Sequence, residues 1–421
     1  MEKLIIRGKI PLTGHVAING AKNAVLPLMT ATMLAEGVHQ FSNVPILRDV
    51  ATMQKLLTHI GVGSQREGRN LTLTSNGLKS HEAPYEMVKT MRASVLVLGP
   101  LLARWGKASV SLPGGCAIGA RPIDLHLKAL EKMGAAIDIR EGYVNATASK
   151  LKGAEIIFDT VTVTGTENIM MAATLAEGTT ILQNAAREPE IPDLADYLIK
   201  MGAKIEGAGS ETIVIKGVES LQAAGHTVIA DRIEAATFLM AAAITGGKVS
   251  VENCPSKFLE LPLKLLRDAG CKIDLDENEG TPKIILQAPE RLQSLNIATA
   301  PFPGCATDLQ AQFMSLMCLA NGESLITETI FENRFQHALE LKRLGANIEL
   351  SGNTATVRGV ESLEGAPLMA TDLRASASLV LAGLAADGIT TVDRAYHIDR
   401  GYEKIEEKLN QLGASIERTN S

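Results

Sequence analysis

Aromatic side chains are scarce. They make up 3% of the 421 residues, and Trp105 is the single tryptophan, so a groove that stacks bases or sugars is a poor expectation. Positive charge is not in excess either: 41 Lys and Arg against 47 Asp and Glu leave a formal net charge of −6. The cations are scattered rather than clustered, which argues against a nucleic-acid footprint. The five cysteines (Cys116, Cys254, Cys271, Cys305, Cys318) are odd in number and show no CxxC spacing, a pattern that suits a reducing cytosol. Long apolar runs are missing too. Ala235 to Ile244 and Leu379 to Ala386 fall short of the ~20 residues of a membrane span. The opening Met1 to Lys9 breaks its apolar run too early for a signal peptide. A soluble, cytoplasmic chain without membrane or nucleic-acid partners is expected.

Familiar site motifs are absent as well. No GxGxxG follows a strand, and Gly246-Gly247-Lys248 is followed by Val249 rather than Ser or Thr, so neither a dinucleotide fingerprint nor a P-loop is present. HExxH and GxSxG are missing. Cys116, Asp124 and His126 lack metal-ligand spacing, and no metal or other cofactor is expected.

What is present is a glycine-rich stretch, Ser111-Leu-Pro-Gly-Gly-Cys116-Ala-Ile-Gly-Ala-Arg121-Pro-Ile-Asp124-Leu-His126. It joins an apolar segment ending near Val110 to an amphipathic one from Ile123 to Met133, and reads as a long functional loop. Its glycines allow close backbone approach to a ligand, while Arg121 and Asp124 bring charge. Cys116 is the one cysteine outside an apolar run. Its thiol, tuned by neighbouring cations, can serve as acid or nucleophile. The other four read as small buried hydrophobes.

The chain repeats itself. A small-residue helix pattern ending in glycine, first seen as Leu28 to Gly37, recurs to Gly106, Gly178, Gly247, Gly322 and Gly388, roughly 70 residues apart. A second landmark keeps the same period: an amphipathic helix closing at Gly61, Gly134, Gly202, Gly270, Gly345 and Gly413, each placed as a C-cap. Every copy reads strand, helix, strand, helix, strand, strand. Six copies divide into two globules of about 200 residues, a comfortable single-core size. The small-residue helices are too hydrophobic all round for a surface and should be buried inside the sheets. The early strand Leu4-Ile-Ile-Arg precedes the first copy and is expected to pair with the last, giving two chain crossings and a hinged cleft. Expected boundaries are 22–229 for one domain and 1–21 with 230–421 for the other. The acidic run Asp274 to Glu279 reads as a solvated turn.

Charge stands where five of the six buried helices should begin. Lys22 with Asn23, Arg92, Arg232 and Arg374 occupy four of these places, Asp308 a fifth, and Thr164-Gly-Thr the sixth. Cations are the wrong sign for a helix N-terminus. They make sense if an anion binds there, or if each pairs with a nearby carboxylate. Arg400, beside Gly401, adds a further cation. Asp308 among such cations would be held ionised, suiting a general base or a plain salt-bridge partner.

Six ordered motifs carry a resemblance over essentially the whole chain: Gly20-Ala-Lys22-Asn23-Ala, Pro113 to His126, Thr307-Asp308-Leu-Gln-Ala-Gln, Phe331-Glu-Asn-Arg334-Phe, Thr371-Asp372-Leu-Arg374-Ala-Ser and His397-Ile-Asp-Arg400-Gly-Tyr. The sequence resembles the enolpyruvyl transferase family, in the branch of the UDP-N-acetylglucosamine 1-carboxyvinyltransferases. The resemblance implies an α/β fold of two inside-out, barrel-like globular domains with three βαβαββ repeats each, as in EPSP synthase. It implies transfer of the enolpyruvyl group of phosphoenolpyruvate to the 3′-hydroxyl of UDP-N-acetylglucosamine, with release of phosphate, as the first committed step of peptidoglycan synthesis. Cys116, Asp308, Lys22 and Arg400 would be catalytic, with Cys116 protonating the enol methylene and Asp308 accepting the hydroxyl proton. Lys22, Asn23, Arg121, Arg374 and Arg400 would hold phosphoenolpyruvate. Arg92, Arg121, Pro122, Ile123, Asp124, Leu125, Thr162, Val163, Gly165, Asp308, Ile330 and Phe331 would line the nucleotide-sugar site. A cysteine at 116 implies sensitivity to the epoxide fosfomycin. The sister reading, 3-phosphoshikimate 1-carboxyvinyltransferase, is disfavoured by Gly-Ala-Lys22-Asn23 in place of a Gly-Ser-Lys-Ser type motif. A clamp encircling nucleic acid is disfavoured by the net charge.

Overall fold

Among the described residues, the twelve helices longer than the single turn Tyr85–Val88 alternate between two kinds, and the computed structural model, which describes residues 2–112, 123–277 and 280–420, shows why. They are α1 Lys22–Ala31, α2 Arg48–Ile60, α3 Leu98–Trp105, α4 Asp124–Lys132, α5 Val163–Ala173, α6 Glu190–Lys200, α7 Arg232–Ile244, α8 Glu260–Asp268, α9 Gln310–Met317, α10 Gln336–Arg343, α11 Leu373–Ala385 and α12 Ile405–Gln411. The odd-numbered helices are rich in Ala, Met, Leu and Thr and have no polar face to turn outward; in α7 all thirteen residues are buried. The even-numbered ones are amphipathic. In α2 the buried Val50, Met53, Leu57 and Ile60 recur every three or four residues, and each such leucine contributes roughly 1.5–3 kcal/mol by leaving water.

The chain divides into two compact lobes, residues 20–112 with 123–229 and residues 2–19 with 230–420. Each has its own apolar core. In the 230–420 lobe α7, α9 and α11 pack on one another; in the 20–229 lobe α3 packs on α5, and α1 on α5 and on the turn that leads into α3. Six four-stranded sheets surround these cores. Numbered by place within a repeat, every sheet has the order 1-2-4-3: strand 1 runs parallel to strand 2, as Glu155–Ile157 does to Thr179–Gln183, and strands 3 and 4 pair antiparallel, strand 4 lying beside strand 2. Among the described residues no helix is long and apolar enough to cross a membrane.

Strands are borrowed across the sequence at three places. Glu2–Arg7 pairs with Ile389–Asp393 and with Ser415–Asn420 and so completes the last sheet, as expected from the sequence. The second loan was not foreseen. Thr13–Ala17 precedes α1 yet lies parallel to Lys248–Glu252 in the fourth repeat, while Gly225–Thr227, which precedes α7, lies parallel to Gly37–Ser42 in the first. The two repeats thus exchange their opening strands.

All six glycines at the ends of the amphipathic helices have φ between 91° and 130°, as the C-cap reading requires. In the fourth repeat the left-handed residue after the buried helix is Gly246 (φ 70°); Gly247 is required for space, since a Cβ there would fall 2.2 Å from the Leu12 carbonyl oxygen. One expectation needs correction. The acidic run is not a turn at its start: Lys272–Asp276 is a strand pairing with Lys283–Gln287. Its carboxylates point to solvent from an edge strand, which exposure alone could not distinguish from a loop.

Candidate functional site

The charged residues flagged by the repeat do stand at the starts of the buried helices. Lys22 opens α1. Arg92 opens the 3-10 turn Arg92–Val97 that leads into α3. Thr162 caps α5, Arg232 opens α7, Asp308 lies in the 3-10 turn Thr307–Leu309 before α9, and Arg374 is the second residue of α11. They fall into two groups by lobe. Cys116, Arg121 and Pro122 lie outside the described residues.

In the 230–420 lobe the centre is Asp308. One carboxylate oxygen, Oδ1, accepts from Arg334 at 2.8 Å; the other accepts from Arg374 Nε at 3.2 Å and lies 3.1 Å from its terminal nitrogen. Asp308 keeps 25% of its side chain exposed whereas Arg374 keeps 2%, so the acid faces outward from a cationic floor. Arg374 is fixed from two further sides. Its helix start is capped by Asp372, which accepts from the Arg374 and Ala375 N–H groups, and its guanidinium lies 5.3 Å from the Tyr402 ring centroid. Beyond the Tyr402 side chain, its terminal nitrogen Nη1 meets no acceptor among the described residues, and a buried guanidinium N–H is costly to leave unmatched. The second residue on Asp308, Arg334, was quoted in a motif but not placed in the site. It also donates to Thr307 Oγ1 at 2.8 Å.

Glu328 was missed altogether. Buried, it accepts from the Thr299 and Thr307 hydroxyls and from the backbone N–H groups of Ile330 (2.8 Å) and Phe331 (3.1 Å). It therefore shapes the Ile330-Phe331 corner and, through Thr307, the Asp308 turn. The only sequence signal was its place just before the Phe331 motif. Arg400 ends the 3-10 turn Ala395–Arg400. That turn is anchored from the last strand by Arg418, which donates twice to Asp399 (3.1 and 2.8 Å) and twice to Glu406 (2.7 and 3.0 Å).

In the 20–229 lobe Lys22 pairs with Asp49 at 2.8 Å, both side chains nearly buried. Carboxylate pairing, one of the two readings left open by the sequence, therefore describes both Lys22 and Arg374. Asn23 follows on α1 and is half-buried. The Gly20 that precedes them cannot be replaced: a Cβ would meet the Asn43 carbonyl oxygen at 1.8 Å.

His126 joins three segments of that lobe. Its Nε2 lies 3.3 Å from the Thr164 hydroxyl and its Nδ1 3.0 Å from Asn168 Nδ2. Asn168 also donates to the Val95 carbonyl at 3.0 Å and accepts from Gly99 N–H at 2.7 Å. Burial pushes the His126 pKa down to about 4, with Asp124 opposing, so the ring is neutral near pH 7 and Nδ1 accepts from Asn168. The Arg92 turn, Ile123 to Leu125 at the start of α4, and Thr162 to Gly165 are thereby brought together. Thr162 Oγ1 caps Gly165 N–H at 3.2 Å, and Val163 opens α5.

The four described cysteines are buried and free. Burial raises Cys271, Cys305 and Cys318 to about 12 and Cys254 also upward, which leaves them unreactive. Among the described residues no group of His, Cys, Asp and Glu could hold a metal ion.

The profile of EPSP synthase (3-phosphoshikimate 1-carboxyvinyltransferase) matches residues 6–409. The chain is 57% identical over 418 residues to a UDP-N-acetylglucosamine 1-carboxyvinyltransferase of Geotalea daltonii, covering 99% of both chains. It is 56% identical over 419 residues to the protein of that name from Thermodesulfovibrio yellowstonii, covering 99% of this chain and 100% of the relative. Among solved structures it is similar to the enolpyruvyl transferase NikO from Streptomyces tendae, with a TM-score of 0.89 and 27% identity over 100% of this chain and 99% of that one. An EPSP synthase from Acinetobacter baumannii, 21% identical with a TM-score of 0.77 over the whole of both chains, shares the fold.

Proposed function

The chain belongs to the EPSP synthase family, in the branch of the UDP-N-acetylglucosamine 1-carboxyvinyltransferases, and from that premise we propose the following reaction. Phosphoenolpyruvate donates its enolpyruvyl group to the 3′-hydroxyl of UDP-N-acetylglucosamine by addition and elimination, in the cytoplasm, as the first committed step of peptidoglycan synthesis. Protonation of the enol methylene by the Cys116 thiol makes the adjacent carbon electrophilic. The 3′-hydroxyl adds there as Asp308 takes its proton, and the resulting phosphate-bearing tetrahedral centre expels inorganic phosphate while a methyl proton leaves, restoring the double bond.

The arrangement around Asp308 carries this reading. An acceptor for a hydroxyl proton must be ionised and held in place, and Asp308 is gripped by Arg334 and Arg374 with part of its surface still open. The donor is a dianionic phosphate with a carboxylate and demands several cations. Arg374 and Arg400 take the carboxylate. Arg121 and Arg400 take the phosphate, and Lys22 and Asn23 hold the donor. Arg92, Arg121, Pro122, Ile123, Asp124, Leu125, Thr162, Val163, Gly165, Asp308, Ile330 and Phe331 receive the nucleotide sugar. Orienting the two substrates and excluding water supply much of the rate, a task for the glycine-rich stretch around Cys116.

Mass spectrometry of the nucleotide sugar after incubation with phosphoenolpyruvate tests the reaction, the expected product carrying one enolpyruvyl group. Cys116→Ser is expected to cripple turnover and abolish labelling by fosfomycin while the circular dichroism spectrum stays that of the wild type. An unchanged rate would remove Cys116 from the chemistry.

A further inference from the structure

Within the 230–420 lobe, three buried helices bring their N-terminal ends to one phenol. Tyr402, buried just after Arg400, places its hydroxyl 2.9 Å from Thr237 Oγ1 on α7 and 3.2 Å from Gln312 Nε2 on α9, and its ring beside the Arg374 guanidinium on α11. The protons in this cluster can be assigned by elimination. The single Thr237 hydroxyl proton goes to the Ile233 carbonyl at 2.7 Å, so at 2.9 Å Tyr402 must donate to Thr237. The Tyr402 oxygen in turn accepts from Gln312 Nε2. Of the two Gln312 protons, one is directed to the Asp308 carbonyl at 3.0 Å and the other is shared between Tyr402 and Thr237 Oγ1, the latter at 3.3 Å. Burial raises the Tyr402 pKa against the pull of Arg374 and Thr237, which keeps the phenol protonated for this donation.

From this closed circuit we infer that Tyr402 is a positioning residue for the proposed reaction: its hydroxyl, through Gln312, sets the backbone of Asp308, and its ring sets the guanidinium of Arg374, so one side chain fixes the distance between proton acceptor and carboxylate-binding cation. The inference rests on the function proposed above. Packing alone does not require the hydroxyl. A phenylalanine would fill the same space and keep the ring contact with Arg374, but Gln312 would lose an acceptor and Thr237 a donor, and the Asp308 turn would lose its fixed support.

The test is steady-state kinetics of Tyr402→Phe beside the wild type, with each substrate varied. Expected are a rise of about five- to tenfold in the KM for phosphoenolpyruvate, a fall of similar size in kcat, and an unaltered dissociation constant for UDP-N-acetylglucosamine measured by calorimetry. Thr237→Val, which removes the acceptor and leaves the phenol, should reproduce the effect at smaller size and serves if the Tyr402 variant folds poorly. Wild-type values for both kinetic constants in a folded Phe variant would overturn the inference, as would equal weakening of both substrates, the mark of general loosening. Wild-type enzyme measured alongside separates the two claims: turnover there with an unaffected variant rejects only the role of Tyr402, whereas no turnover there rejects the function and with it this role.

Discussion

The two lobes share one repeat but close the ends of their buried helices differently. In the 230–420 lobe α7 and α11 begin with Asp231 and Asp372, carboxylates that accept from the first free N–H groups, and of the buried helices there only the turn into α9, after Ala306, has no side-chain cap. In the 20–229 lobe the residues before α1 and before the Arg92 turn, Ala21 and Met91, provide no side-chain cap, and α5 is closed by the neutral Thr162 hydroxyl. A carboxylate at a helix start uses up the positive end of the dipole, and a hydroxyl or nothing leaves it available. On this account anion recognition in the 230–420 lobe falls to guanidinium groups, above all Arg374, while in the 20–229 lobe backbone N–H groups share it with Lys22. The same scaffold thus yields two kinds of helix start by changing one residue, as at Asp231 and Asp372 against Ala21 and Met91.

The strongest way to break that contrast is at Asp308. Asp308→Asn is expected to lower kcat about a thousandfold, within the range for losing a general base, while retaining binding of the nucleotide sugar; pre-steady-state phosphate release measures it, and a loss under tenfold would reduce Asp308 to a salt-bridge partner. Next in size, Asp49→Ala leaves the Lys22 ammonium buried without its carboxylate and is expected to cost roughly 3–5 kcal/mol of stability in urea unfolding. A cost below 1 kcal/mol would mean that Lys22 finds another partner, and the parallel drawn between Lys22 and Arg374 would fail.

The smallest effect is one of pH, and two of the buried histidines, His126 in one lobe and His337 in the other, carry it. Burial lowers both His126 and His337 to about 4, opposed in the first by Asp124 and in the second by Asp372, with Arg334 adding to the lowering at His337. Because the folded pKa lies below the unfolded value of about 6.5, each group's contribution is complete above pH 6.5 and is lost as pH falls toward 4, by roughly 2–3 kcal/mol. His126→Asn should flatten the stability curve between pH 6.5 and 4 by that amount; an unchanged curve would show that the ring is not held neutral.

Much of this architecture was legible because glycine and charge recur with the fold's own period. The buried helices announce themselves by composition, and Lys22, Arg92, Arg232 and Arg374 stand where the period places their starts. What could not be read was pairing. Asp49 lies 27 residues from Lys22 and Asp308 66 residues from Arg374 in sequence, and nothing local says which carboxylate meets which cation. The exchange of Thr13–Ala17 with Gly225–Thr227 was hidden for a related reason: the two strands open equivalent repeats, so either would satisfy the pattern. Glu328 and Asn168 were invisible because a buried polar residue whose partners are mostly backbone groups and hydroxyls looks, in sequence, like any surface residue. His126 was weighed as a metal ligand and as the end of a motif, whereas in the structure it ties three segments of one lobe together.

The acceptor is the point on which the account turns most directly. Phosphate release should be measured with phosphoenolpyruvate and either UDP-N-acetylglucosamine or shikimate 3-phosphate, at equal enzyme concentration. The account predicts release with the nucleotide sugar and only background with shikimate 3-phosphate. Release with shikimate 3-phosphate and none with the nucleotide sugar would contradict it.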